Sequence, residues 1–294
     1  MRKLILLAFV VVATASLAFS QQFRDNANIS LFTGDYVAQQ NTNNRGYWYG
    51  MYADFMPIKT PAGLNFGFCG VASHVEFESN NTLNSYNGSS STFGGGIAAG
   101  KYVEYFSQKY AGYFGGNIMI KNSQDEGIGK SIQQDGKLGT YDMKQEDIML
   151  SIEVNLNFLK TFGVYEGLFS RSQFEAGYQK PLKTEKTSFW NKTLIQESML
   201  WNKAAFNARF KQSICQIGRL NTLLEPKVMV GYYYYLGDDS QWITYGPEIA
   251  LKKRGWDDFL SIYFFVKQQV GNYQPNLNST QFVLGLNFNP FSIR

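Results

Sequence analysis

The only histidine of the chain, His74, stands two residues before Glu76. In an extended strand that spacing puts both side chains on one face. An imidazole beside a carboxylate is the acid–base half of an acyl-transfer site, and the other half is a nucleophile within hydrogen-bond reach. The run His-Val-Glu lacks a His-x-Ser arrangement, and Ser73 adjoins His74 but points to the opposite face. Asp35 or Asp239 would be the partners of a proteolytic carboxylate–imidazole pair, and no second feature supports either. His74 therefore reads as a polar rim residue, the chain reads as a non-enzyme with no catalytic residue assigned, and a His74-based hydrolase is the weaker alternative.

Other candidate chemistry has plainer explanations. Cys69 and Cys215 are the only cysteines, with no second ligand nearby for a metal or redox centre; two small buried side chains are expected, although a disulfide is compatible with an oxidising compartment. Asp238-Asp239 and Asp257-Asp258 flank turns, where Asp stabilises the bend. Gly94-Gly95-Gly96 is followed by no Gly-Lys-Ser/Thr and opens no helix, so it suits strand curvature better than phosphate binding. Asn28-Ile29-Ser30 and Asn80-Asn81-Thr82 match an acceptor triplet that matters only in eukaryotic secretion. No metal site and no cofactor are expected.

The remaining polar groups are dispersed with a period of two. Asn207, Arg209 and Lys211 alternate with Phe206, Ala208 and Phe210, with Ile214 further along the apolar side. Glu225 and Lys227 face away from Leu224, Val228 and Val230, while Glu248 and Lys252 face away from Ile243, Tyr245, Ile249 and Leu251. Asp54, Glu153, Arg171, Glu175 and Lys267 follow by the same parity. With Lys252 set aside at a strand end, acids and bases balance, which argues against strong selection by ion sign.

Strands must position these groups. The segment Gln281 to Phe288 puts Phe282, Leu284, Leu286 and Phe288 on one face, and similar segments fall at about 26–35, 46–56, 63–77, 92–105, 110–121, 146–158, 170–179, 204–215, 223–235, 241–252, 258–270 and 280–290. Each is long enough to cross a bilayer as a tilted strand, which takes about 9–11 residues. Short links at Pro57 to Ala62, Ser107 to Lys109, Gln216 to Thr222 and Lys253 to Asp257 alternate with longer polar ones at Tyr36 to Arg45, Glu78 to Ser91, Asn122 to Gln145 and Gln179 to Lys203. Leu159 to Phe169 is long for a turn and Leu236 to Ser240 short for an outer loop. Thr187 to Leu200 has apolar spacing suited to a short helix. Aromatic residues near strand ends, including Tyr47, Trp48, Tyr49, Tyr102, Tyr232, Tyr234 and Trp256, suit girdles at two lipid interfaces. The expected fold is all-β, an antiparallel up-and-down transmembrane β-barrel of about twelve strands, with ten or fourteen as alternatives, short periplasmic turns and longer outer loops.

Composition agrees. The chain is 16% aromatic and only 17% charged, against about 25% charged in an ordinary soluble domain. Its mean hydropathy is −0.26, as expected when polar inward residues cancel lipid-facing ones. Met1-Arg2-Lys3, the apolar run Leu4 to Val12 and Ala18-Phe19-Ser20 predict a signal peptide over residues 1–20 and a barrel domain over 21–294. Gln21, not Cys, stands immediately after the expected cleavage point, and no apolar run beyond it is long enough for a transmembrane helix. Taking Arg2 and Lys3 from 27 Lys and Arg leaves 25 bases against 23 acids, too balanced for a nucleic-acid binder.

The export signal, the alternating strands and the closing Phe282-x-Leu284-x-Leu286-x-Phe288 resemble bacterial outer-membrane β-barrel proteins. Such proteins usually end on an aromatic residue that the assembly machinery reads, whereas this chain continues through Asn289 to Arg294. The resemblance implies residence in the outer membrane, with outer-membrane lipid and the assembly machinery as partners. The expected function is a pore or passive channel for small solutes. The alternative is a structural or surface-interaction barrel with a filled lumen, acting through the outer loops.

Overall fold

The computed structural model describes residues 27–39, 45–80, 84–105, 110–132, 138–160, 171–186, 205–215, 217–219, 222–236, 240–253, 258–270 and 280–288. The expected signal peptide, the possible helix in 187–200 and Trp256 lie outside them. The strands are β1 (Ala27–Gln39), β2 (Arg45–Lys59), β3 (Leu64–Asn80), β4 (Asn84–Tyr105), β5 (Tyr110–Ile132), β6 (Leu138–Lys160), β7 (Arg171–Lys186), β8 (Ala205–Ser213), β9 (Ile217–Arg219), β10 (Thr222–Tyr235), β11 (Ser240–Lys253), β12 (Asp258–Val270) and β13 (Thr280–Phe288). All pairings are antiparallel and, apart from β8 with β10, run between successive strands, and β13 returns to β1, with Leu31 opposite Phe288 and Gln39 opposite Gln281.

The structure is a closed barrel of 12 strands, because β8 and β9 both pair with β10 and together make one strand. Between Ser213, opposite Lys227, and Ile217, opposite Leu224, the β8–β9 side carries one extra residue, a β-bulge. Pro226 sits at this bulge and has no N–H to donate, and its carbonyl accepts a bond from the Ile214 N–H at 2.8 Å. The β2–β3 link is a tight turn in which Gly63 adopts φ 76° and the Thr60 hydroxyl accepts from the Leu64 N–H at 3.0 Å. With short turns on the periplasmic side, as the sequence leads one to expect, the opposite rim is the outer one.

The barrel wears its apolar residues outside. Phe68 is 67% exposed, Ile97 60% and Val230 53%, while Glu225 and Val283 are wholly buried. That inversion is the mark of a wall between lipid and an enclosed interior. No described helix is long and apolar enough to cross a membrane, and the crossing elements are strands.

Two segments expected to be loops, Glu78 to Ser91 and Asn122 to Gln145, are largely strand, and a third, Gln179 to Lys203, is strand as far as Lys186. β4 starts at Asn84, β5 and β6 continue to Ile132 and from Leu138, and β7 reaches Lys186. Residues 122–132 and 138–145 are mostly polar, with Ile128 and Met143 among the exceptions, so the apolar alternation fades while the pairing continues from Asn122 opposite Ile148 to Ile132 opposite Leu138. At about 3.3 Å per residue, the 23 residues of β5 and of β6 are roughly twice what a bilayer requires. These strands stand as a wall above one side of the barrel. There the hydrogen bond and charge of Glu126, 3.0 Å from Lys144, raise the lysine pKa above its ordinary value.

Both cysteines are free; Cys69 is buried, but Cys215 is half-exposed, at the bulge rather than inside. In the Gly94–Gly96 run, a Cβ at Gly94 would stand 2.6 Å from the Ile120 carbonyl oxygen of β5, whereas one at Gly95 would find 3.5 Å. Gly94→Val is therefore expected to cost about 1–3 kcal/mol in urea unfolding of the refolded barrel, and Gly95→Ala close to nothing. Equal midpoints would show that β4 and β5 do not need this approach.

Candidate functional site

On the inward side of β7, β8, β10 and β11, alternate residues carry charge, and antiparallel register brings the strands' charges together. Glu175 lies opposite Arg209 and Lys227 opposite Glu248; such cross-strand pairs are the unit of contact in a sheet. Arg171 is 1% exposed. Its Nε donates to Asn157 Oδ1 at 3.0 Å and its Nη1 lies 3.4 Å from Glu225 Oε2. Lys227 Nζ stands 3.6 Å from that same oxygen and 3.7 Å from Glu248 Oε1, and donates to Gln173 Oε1 at 3.2 Å. Lys211 Nζ reaches Glu248 Oε2 at 2.7 Å, and Arg209 Nη1 lies 3.6 Å from Glu175 Oε2.

The facing wall is built differently. Asn28 donates to Asp54 Oδ2 at 3.1 Å, and Lys121 Nζ meets Glu153 Oε1 at 3.3 Å. Asn117 donates to Glu153 Oε2 at 3.2 Å. Between these polar contacts Met56, Cys69, Ala98 and Met119 form a buried apolar patch with Tyr52 and Val71 against it. Sequence parity does not show this patch, because its residues come from four different strands, β2 to β5, and meet only through the register between them. Towards the outer rim Ser123 is wholly buried and Asp147, 1% exposed, accepts from Gln145 Nε2 at 2.6 Å.

Beside the charged wall lies a cavity of about 410 Å³ bordered by Arg209, Lys211, Tyr233, Thr244, Tyr263 and Trp48. Trp48 is a correction to the aromatic girdle. It alternates with Tyr47 and Tyr49, so the pleat that turns those two outward turns Trp48 into the cavity. Tyr232 and Tyr234 share the parity of exposed Val228 and Val230, and Tyr232 donates to Gln241 Oε1 at 3.1 Å. Lys267 pairs with Thr244 and Tyr102 with Tyr113; the side chains of Lys267 and Tyr102 lie outside the described set. Among the described residues no group of acidic, His or Cys side chains forms a metal cluster.

The outer face carries one further polar cluster. His74 pairs with Tyr49 on β2 and Ser91 on β4. Its Nδ1 lies 2.8 Å from Ser91 Oγ and its Nε2 3.4 Å from Glu76 Oε1. The Tyr49 and His74 ring centroids are 5.3 Å apart. The sequence places Ser91 only at the end of an expected loop, because a hydroxyl 17 residues away joins His74 only through the β3–β4 register.

The sequence matches no protein-family model and no curated protein. Among solved structures it is similar to the β domain of the Bordetella autotransporter Brka, at TM-score 0.55 and 11% identity over 90% of this chain and 99% of that one. The translocator domain of autotransporter NalP from Neisseria meningitidis matches at TM-score 0.44 and 8% identity, covering 96% of this chain and 94% of that one. The KdgM porin matches at 0.32 and 9%, over 88% and 98%. The chain has the fold of the bacterial outer-membrane β-barrels.

Proposed function

We propose that the barrel is a passive pore for small solutes. The cavity of about 410 Å³ supports this most directly: it has room for a small polar molecule, and its walls combine cations with hydroxyl and amide groups. Arg209 and Lys211 each have a carboxylate close by, Glu175 at 3.6 Å and Glu248 at 2.7 Å, so the pore discriminates weakly by charge sign. Outer-membrane lipid surrounds it, and the bacterial assembly machinery inserts it.

A filled lumen is the second reading, favoured by the near-complete burial of Arg171, Glu225, Lys227 and Glu248. Single-channel recording of the refolded chain without residues 1–20 separates the two. The pore reading expects open steps that grow with salt, and Arg209→Glu with Lys211→Glu shifting the reversal potential towards cation preference. A folded barrel that stays silent would replace the pore with the filled-lumen reading.

A further inference from the structure

We propose that Ser91, His74 and Glu76 form an acyl-hydrolase site on the lipid-facing surface of the barrel, acting on long-chain acyl esters of outer-leaflet lipids. The three residues hold the relation that acyl transfer requires. A hydroxyl lies at hydrogen-bond distance from one imidazole nitrogen, and a carboxylate lies beside the other. The strand geometry sets this arrangement: Ser91 is directly opposite His74, and Glu76 follows His74 by two residues on the same face. The His74 and Glu76 side chains are 24% and 31% exposed, which leaves the site open from the side.

Its depth selects the substrate. Two residues below Ser91 on the same face, Phe93 is 56% exposed, followed by Ile97 at 60%, and Phe68 on β3 is 67% exposed. Level with Ser91 the outward Gln124 is polar, as are Ser89 and Glu126 above it, and the next exposed apolar residue on β5 is Ile128, four residues beyond Gln124. Ser91 thus stands where the apolar belt ends, the level at which a bilayer passes from hydrocarbon to headgroup and at which acyl esters lie. Acyl chains would rest along Phe93 and Ile97, presenting the ester carbonyl to the hydroxyl. Gln124, exposed and directly opposite Ser91 on β5, brings amide donors to the side of Ser91 away from His74, where an oxyanion would form.

The chemistry closes on these groups and water. His74 Nδ1 takes the proton of Ser91 Oγ as the oxygen bonds to the ester carbonyl carbon, and Glu76 accepts the hydrogen bond of Nε2–H and steadies the imidazolium. The ester C–O bond breaks, and the leaving alkoxide takes that proton to depart as the lysolipid alcohol. Water then adds to the acyl-Ser91, giving its proton to Nδ1; the acyl–Oγ bond breaks, Ser91 recovers the proton, and a fatty acid leaves.

The test uses the refolded chain in mixed micelles containing either a diacyl glycerophospholipid or lipopolysaccharide, with fatty-acid release as the readout and a fluorophosphonate as covalent probe. Folding of each variant is checked by its resistance to SDS before heating. The expected result is probe attached at Ser91 and fatty acid released; the lipid that yields it identifies the source of the ester. Ser91→Ala and His74→Asn should each lower kcat at least about 10³-fold and abolish labelling, and Gln124→Leu should lower it about 10²-fold. Glu76 is a positioning residue: Glu76→Gln should lower kcat about 10²-fold or more with KM unchanged, and Glu76→Asp should restore part of it. A folded wild-type barrel that releases no fatty acid from either lipid overturns the proposal, labelled or not, as does release that persists in Ser91→Ala.

Discussion

Glu225→Gln is expected to cost the folded barrel about 3–5 kcal/mol, the usual consequence of removing one partner from a buried ion pair. Glu225 is fully buried and stands between Arg171 and Lys227, at 3.4 and 3.6 Å, both 1% exposed. Neutralising it preserves volume and removes the carboxylate that Arg171 and Lys227 share. Glu248, 3.7 Å from Lys227, is also the partner of Lys211, so one carboxylate would then serve two buried lysines. The urea midpoint for loss of the folded state in vesicles should fall sharply, with part of the population failing to reach the SDS-resistant form. Glu126→Gln is the matched control. Its partner Lys144 is 63% exposed, and solvent screens such a pair, so its midpoint should not move. Equal midpoints would mean that water reaches Glu225 and that the interior wall is wetter than its burial indicates.

Val228→Arg should cost about 2–4 kcal/mol and Leu236→Arg no more than about 1 kcal/mol. Both positions belong to the outward line of β10 and its turn, and they are almost equally exposed, at 46% and 45%. In a protein surrounded by water the two changes would be equivalent and close to neutral. They differ in depth: Val228 lies midway along the strand, flanked by exposed Leu224 and Val230, whereas Leu236 sits at the outer rim. A charge at the middle of the belt must leave water, and one at the rim does not. Unfolding in lipid vesicles measures the difference, and identical costs would remove β10 from the membrane-facing wall.

How much of this was legible in the chain depended on whether a feature is local. The alternation through 206–211, 224–230 and 282–288 follows from one strand facing two media, so strand positions and the inward parity of Arg209, Glu225 and Glu248 could be read directly. Where both media are water the alternation fades, which is why β5 and β6 ran on through residues expected to form a loop. The pairing of His74 with Ser91, like that of Lys211 with Glu248, depends on register between strands, and no spacing along one strand encodes it. Trp48 went astray for a simpler reason. A run of three aromatics suggested a girdle, but consecutive strand residues cannot all face lipid.

The strand pairings also set an order of assembly. β5 and β6 are neighbours in sequence and pair from Tyr110 with Lys160 to Ile132 with Leu138, so their contacts form across a short connection with little loss of chain entropy. The seam between β1 and β13 joins residues 31–39 to 281–288, nearly the full length of the chain apart. Closure is therefore the late step, and until it occurs the growing sheet presents two unpaired edges that must be kept from other chains.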